Sequence, residues 1–200
     1  MTSVQNRRKF IREHIRMLAG TQPDSPLAVM SIACGPASEI FESLTRDSVN
    51  LSAVCIDLDD SALDYVRKTA AEQGVEERIA CIRENAFRLS DTFISHYAAS
   101  QKLIYSIGLI DYFEDEFIIT LLNQLYNLLQ PGGYVILGNI CDKCPEKHIS
   151  NYLLDWLIIY RSKEQMYNIF KQSRFNHSDI EVTVYNQDTS EIQLYAVSKK

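Results

Sequence analysis

The sequence predicts an α/β fold: a mostly parallel sheet, helices on both of its faces, and an antiparallel hairpin strand at the end. Three observations carry that prediction. Apolar strand-like runs alternate with amphipathic helical stretches through most of the chain, a pattern that specifies parallel strands joined by right-handed crossovers. The first run, Leu27 to Ala33, is almost continuously apolar, as a strand covered on both faces must be. Late in the chain, EVTVYN and EIQLYAVS are separated by only a few polar residues, the spacing of an antiparallel pair.

In chain order, residues 4–19 read as an amphipathic helix with Phe10, Ile11, Ile15 and Leu18 on one side. Arg7, Arg8, Lys9, Arg12 and Arg16 lie largely on the other, so residues 1–22 are expected to be a lid or docking helix with a solvated basic face. The other reading of such a face is a helix lying on a membrane surface. Gly20 to Pro26 is a polar connector to the first strand. That strand stops at Gly35-Pro36: proline suits the first turn of a helix, and glycine has no Cβ to hold a ligand off the backbone. Ile40, Phe41 and Leu44 then recur at helical spacing. Leu51 to Asp57 is the second strand. Asp60 or Ser61 can cap a helix through about Gln73, with Gly74 as its stop. Arg78 to Arg83 is the third strand, and residues 91–98 a short helix. Lys102 to Gly108 is the fourth, followed by a helix from Glu114 to Gln130 whose Ile118, Leu121, Leu122, Leu125, Leu128 and Leu129 face inward. Pro131-Gly132-Gly133 breaks that helix, and YVILGNI is the fifth strand. Residues 147–160 read as a helix rich in large apolar groups, and Ser162 with Gln165 forms a capping box for another.

Two hundred residues fit one domain with a sizeable core. A net charge of −6 argues against nucleic-acid binding, which needs a basic footprint. No stretch of about 18 uninterrupted apolar residues is present, so no transmembrane span is expected. The N-terminus carries charges without a following apolar segment, unlike a secretory signal. Five cysteines are an odd number, and three lie in apolar runs, which fits reduced, buried thiols in a cytoplasmic protein. Cys141 and Cys144, followed by His148, have metal-like or redox-like spacing, but a zinc site needs a fourth good ligand, so no metal is expected.

The strand, glycine turn and helix around Gly35 open a nucleotide-type site, with free N–H groups directed at whatever binds. Asp57 ends the neighbouring strand about 20 residues further on, where a carboxylate accepts both hydroxyls of a ribose. Asn85 follows the third strand at the same crevice. Its amide can pair with an adenine edge, although an asparagine in a loop is also a turn former.

An α/β sheet with PGG before its fifth strand and a late hairpin resembles a class I S-adenosylmethionine-dependent methyltransferase, a Rossmann-like fold. The resemblance covers the whole chain. SIACGPAS resembles the family's glycine-rich first motif, IDLDDSAL its acidic second motif, and ENA the place of its GDA triplet. Ala33 and Ala37 replace two of the usual glycines, and Ser31 stands where an acid commonly is. The resemblance implies S-adenosyl-L-methionine as cofactor, held by Ala33, Cys34, Gly35, Asp57, Leu58, Asn85, Ala86, Phe87, Ser106 and Gly108. Residues 30–37, YSIGLIDYF (105–113), and GNI followed by LLDWLIIYRSKEQM (153–166) are similar to the bacterial group for extracellular-factor synthesis. That group makes 3-hydroxypalmitic acid methyl ester, and its first motif also carries the serine of position 31. This narrower resemblance implies methylation of a fatty-acid-like carboxylate.

A carboxylate acceptor is already ionised at neutral pH and requires no general base. A hydroxyl acceptor would require one, and Asp111 and Tyr112, just past the fourth strand, are the nearest candidates, with His148 behind them. Residues 141–175 are expected to line the acceptor site. There Arg161 would hold an anionic acceptor, Trp156 and Tyr160 would wall an apolar cavity, and His148 lies close by. Packing is the competing explanation for that aromatic stripe, and Asp155 and Arg161 can equally anchor their helix. Oligomeric state is left open. Two other functions fit parts of the pattern: an NAD-dependent oxidoreductase, and a relative that binds cofactor or a partner and transfers nothing.

Overall fold

The computed structural model describes residues 3–143, 158–185 and 193–200. A seven-stranded sheet runs through it in the order β3-β2-β1-β4-β5-β7-β6. The strands are β1 (Leu27–Ile32), β2 (Leu51–Asp57), β3 (Ile79–Arg83), β4 (Gln101–Ile107), β5 (Leu129–Ile140), β6 (Ile180–Tyr185) and β7 (Gln193–Lys199). The first five are parallel, while β7 pairs antiparallel with both β5 and β6. The late hairpin thus forms as expected, with its second strand inserted between β5 and the first.

The helices are α1 (Ser3–Ala19), α2 (Ser38–Thr45), α3 (Asp60–Gln73), α4 (Asp91–Tyr97), α5 (Asp115–Leu128) and α6 (Lys163–Lys171). Strand periodicity divides the core between the two faces of the sheet. Met30, Ile32 and Ile104 meet Ile118, Leu121, Leu122 and Leu125 of α5, together with Met166, Ile169 and Phe170 of α6. Leu27, Val29, Leu103 and Tyr105 face the other way, toward Ile11 and Ile15 of α1, Ile40 and Phe41 of α2, and Leu63 and Val66 of α3.

Local structure departs from the sequence reading in four places. Helix α3 is capped by Asp59 rather than by Asp60 or Ser61, because the Asp59 carboxylate accepts from the Ser61 N–H and hydroxyl; Gly74 ends the helix in a left-handed conformation, as expected. Helix α5 stops at Leu128, and Leu129 already pairs with Gln101, so β5 begins before the Pro-Gly-Gly sequence and absorbs it as a register shift. Gly133 is required there, since a Cβ would lie 2.9 Å from the Gln101 carbonyl oxygen. Residues 158–160 are not helical, and the rest of the expected 147–160 helix, with Cys144, His148, Asp155 and Trp156, lies outside the described residues. The basic face of α1 is not simply solvated. Arg12 grips Asp47 through two hydrogen bonds of 2.9 and 2.8 Å and also reaches Glu42; Arg8 pairs with Glu42 and Arg16 with Asp47. The Ser162–Gln165 capping box opens α6 as expected. Among the described residues no helix is long and apolar enough to cross a membrane.

Candidate active site

Parallel strands leave their carboxyl ends free for loops, and the order reverses between β1 and β4, where a crevice must open. The chain leaves β1 through Ala33 to Ala37. Ala33, Gly35 and Ala37 all hold left-handed backbone conformations, with φ of 52°, 50° and 47°. At Gly35 glycine suits the left-handed backbone, and a Cβ there would meet nothing within 4 Å, so its bare face is open to a ligand. Asp57, at the end of β2, closes the turn from the side. Its Oδ2 accepts from the Gly35 N–H at 2.9 Å, and its Oδ1 from the Asp59 N–H at 3.1 Å. A carboxylate offers about four lone-pair directions, so two remain for a diol.

Two cavities flank this turn and share Ala33. The larger, about 330 Å³, is bounded by Asp57, Leu58, Asn85, Ala86 and Phe87 on one side and by Leu109, Phe113 and Phe117 on the other. Phe87 packs on Phe113 with ring centroids 4.1 Å apart. Asn85 spends its side-chain oxygen on the Phe87 N–H, so it is a turn former as well as a wall of the cavity, with its NH2 left to donate. The smaller cavity, about 190 Å³, lies between the glycine turn and α1, where Arg7, Arg8, Cys34, Glu39, Tyr105 and Ile107 surround it.

Of the residues expected to hold a cofactor, Ala33, Cys34, Gly35, Asp57, Leu58, Asn85, Ala86 and Phe87 border one cavity or the other. Gly108 is in neither wall; its φ is 83°, and Arg7 Nη1, from a residue that borders the smaller cavity, lies 3.1 Å from where a Cβ would stand. Ser106 does not take part. It is fully buried and donates to the Ile32 carbonyl, tying β4 to β1.

The expected acceptor and catalytic residues need larger corrections. Asp111 is buried, 3% exposed, and its carboxylate accepts from the Ile140 N–H at 2.7 Å. It borders neither cavity, so it secures the end of β5 rather than facing a reactant. Burial pushes its carboxyl up to about 6, against the Ile140 hydrogen bond and the fields of Arg7 and Arg161. Tyr112 is 45% exposed on the neighbouring turn. Arg161, expected to hold an anionic acceptor, is 1% exposed and saturated within the protein. Its Nε donates to Asp115, Nη1 to the Ile110 carbonyl and Asn139, and Nη2 to the Phe113 carbonyl, with Asp115 again 2.9 Å away. Arg161 thus anchors the segment after β5, while Asp155, named with it as an anchor, lies outside the described residues. Tyr160 is half-buried next to Arg161, while Trp156 and His148 lie outside the described residues.

Cys34, Cys55 and Cys141 are buried free thiols and Cys81 is half-buried; no cluster of metal-ligating side chains is present among the described residues. Glu39, Tyr105, Arg7, Leu109, Phe113 and Phe117 are bordering residues that sequence reasoning missed. Tyr105 and Phe113 look like core positions, and Arg7 like one more charge on a basic face. Glu39 had a signal: an acid directly before the apolar Ile40 and Phe41 of α2.

A family profile described as "Methyltransferase domain" matches residues 29–133, just over half of the chain. No curated protein sequence matches. Among solved structures, a protein of Bordetella parapertussis described as a possible exported protein superposes with a TM-score of 0.67 at 21% identity, covering 95% of this chain and 68% of that one. Magnesium protoporphyrin IX methyltransferase from Synechocystis PCC 6803, with bound S-adenosylhomocysteine, gives 0.72 at 11% identity over 100% of this chain and 88% of that one. Geranyl diphosphate C-methyltransferase from Streptomyces coelicolor A3(2) gives 0.67 at 10% identity over 94% and 79%.

Proposed function

This chain belongs to the methyltransferase domain family, whose cofactor is S-adenosylmethionine, and from that premise we propose that it methylates the carboxylate of a fatty-acid-like small molecule. The observation that supports the cofactor's place is the pair of cavities that share Ala33 in their walls, with an acid on one side and the bare glycine turn beside them. Asp57 has two lone-pair directions to accept the ribose hydroxyls. Leu58, Ala86, Phe87 and Leu109 offer apolar walls to a purine, and the Asn85 NH2 offers it a donor. When bound, the cofactor supplies a methyl group already activated by a sulfonium charge.

The chain's own work is then to bind, orient and exclude water. Asp111 bears on the choice of acceptor. Because its carboxylate is committed to the Ile140 N–H, the nearest expected base does not face the cleft, and an acceptor that is ionised beforehand is the one that does not miss it. The similarity of residues 30–37, 105–113 and 153–166 to the extracellular-factor group supports 3-hydroxypalmitate as the first acceptor to try.

Calorimetry with S-adenosylmethionine and S-adenosylhomocysteine tests the cofactor; absence of binding by folded protein at millimolar ligand rejects it. Transfer of labelled methyl to 3-hydroxypalmitate tests the acceptor. Cofactor binding without transfer to that acid, or to any small molecule of a lysate, favours the non-catalytic relative instead.

A further inference from the structure

Glu39 is a buried acid in the cleft to which the reading above gives no work. It lies in the first turn of α2, is 9% exposed, and borders the smaller cavity. Its Oε1 accepts the Tyr105 hydroxyl at 2.6 Å, and Ser31, also buried, borders the same cavity. A carboxylate so far from water is costly unless a counter-charge meets it. Burial raises its pKa, with the Tyr105 bond and the Arg8 field acting the other way. Arg8 is itself engaged by Glu42, on the outer side of α2.

The same cavity has a positive wall. Arg7 and Arg8 border it from α1, and α2 begins there, at Ser38, with no side-chain cap on its N-terminal N–H groups. A complementary ligand carries an ammonium group and a carboxylate close together, as an α-amino acid does. A ligand whose ribose sits on Asp57 and whose chain passes Ala33 brings its far end into this cavity. Ser31 has no charge to offer that end, and Glu39 has one.

Resting on the cofactor assignment just made, we propose that Glu39 accepts the α-ammonium group of the cofactor's amino-acid tail, that Tyr105 holds the Glu39 carboxylate in place, and that Arg7 and Arg8 face the tail's carboxylate. The charge that Ser31 does not supply then comes from Glu39, in the first turn of α2.

Calorimetry on the unaltered protein with three ligands tests this: S-adenosylhomocysteine, its deaminated analogue, and 5′-methylthioadenosine, which keeps the adenosine and lacks the tail. The deaminated analogue is expected to bind at least tenfold more weakly than S-adenosylhomocysteine. Glu39→Gln is expected to lose the same factor for S-adenosylhomocysteine, to keep 5′-methylthioadenosine within about twofold, and no longer to distinguish the deaminated analogue. Equal binding of the first two ligands by the unaltered protein overturns the proposal without any variant having to fold. So does a Glu39→Gln protein that weakens S-adenosylhomocysteine and 5′-methylthioadenosine alike. If the unaltered protein binds none of the three, the cofactor assignment itself falls, and this proposal with it.

Discussion

Ala33 and Ala37 hold backbone conformations that an L side chain resists, and they do so inside the turn proposed to hold the cofactor. Left-handed geometry costs a non-glycine residue about 1–2 kcal/mol, and glycine's extra freedom in the unfolded chain takes back about 0.4–1 kcal/mol. Ala33→Gly and Ala37→Gly are therefore expected to stabilise the protein, each by up to about 1 kcal/mol in urea unfolding. Asp111 makes the opposite kind of demand. Its folded pKa, about 6, lies above the ordinary aspartate value, so the native state holds a proton that the unfolded chain has released. Its contribution is complete below pH ~4 and is lost as pH rises through about 6, up to ~3 kcal/mol in all. Asp111→Asn keeps an acceptor for the Ile140 N–H and does not titrate, so its unfolding free energy measured at pH 4.5 and 7.5 is expected to fall less between the two than that of the unaltered protein. Residue placements were legible in the sequence where they are local. Gly35 and Asp57 follow from their positions at strand ends. Glu39, Asp111 and Arg161 do not, because their partners Tyr105, Ile140 and Asp115 are far along the chain.

Helix α1 shows how an element can be read correctly and its attachment missed. Its apolar stripe predicts a buried face, and Phe10, Ile11, Ile15 and Leu18 are indeed buried. Its arginines look solvated until α2 and the following turn place Glu42 and Asp47 beneath them. Burial alone would raise the Asp47 pKa, but the hydrogen bonds from Arg12 and Arg16 outweigh it and hold the carboxyl below its usual value. Such a group stabilises above the unfolded aspartate pKa and loses its contribution as pH falls. Asp47→Asn should loosen α1 by about 1 kcal/mol at low salt and by less at high salt, as urea melts at neutral pH in the two conditions would show. The segment after β5 behaves differently. Arg161 ties it to Asp115 and to the Ile110 and Phe113 carbonyls, a fork-shaped set of donors that lysine cannot reproduce. Arg161→Lys is expected to cost about 3 kcal/mol of stability and to leave calorimetric affinity for S-adenosylhomocysteine unchanged. A large rise in the acceptor KM without loss of stability would restore its role as acceptor anchor.

At the scale of the molecule, the alternation of strands and helices made the sheet legible, because each crossover is a local pattern. The insertion of β7 between β5 and β6 was not, since the spacing of a hairpin says nothing about which of its strands finds the sheet. The cleft draws on β1, β2 and β4 together, so occupancy should stabilise the whole fold. S-adenosylhomocysteine at 100 times its dissociation constant adds about 2.7 kcal/mol, which for a chain of this size is a rise of roughly 5–10 °C in the melting temperature. Phe10 of α1 stacks on Tyr195 of β7, with ring centroids 3.9 Å apart and planes 10° from parallel. On the ribosome this gives synthesis a direction. The greasy side of α1 leaves the exit tunnel long before Tyr195 has been translated, so a nascent chain carries Phe10 uncovered until nearly all of the sheet has been made.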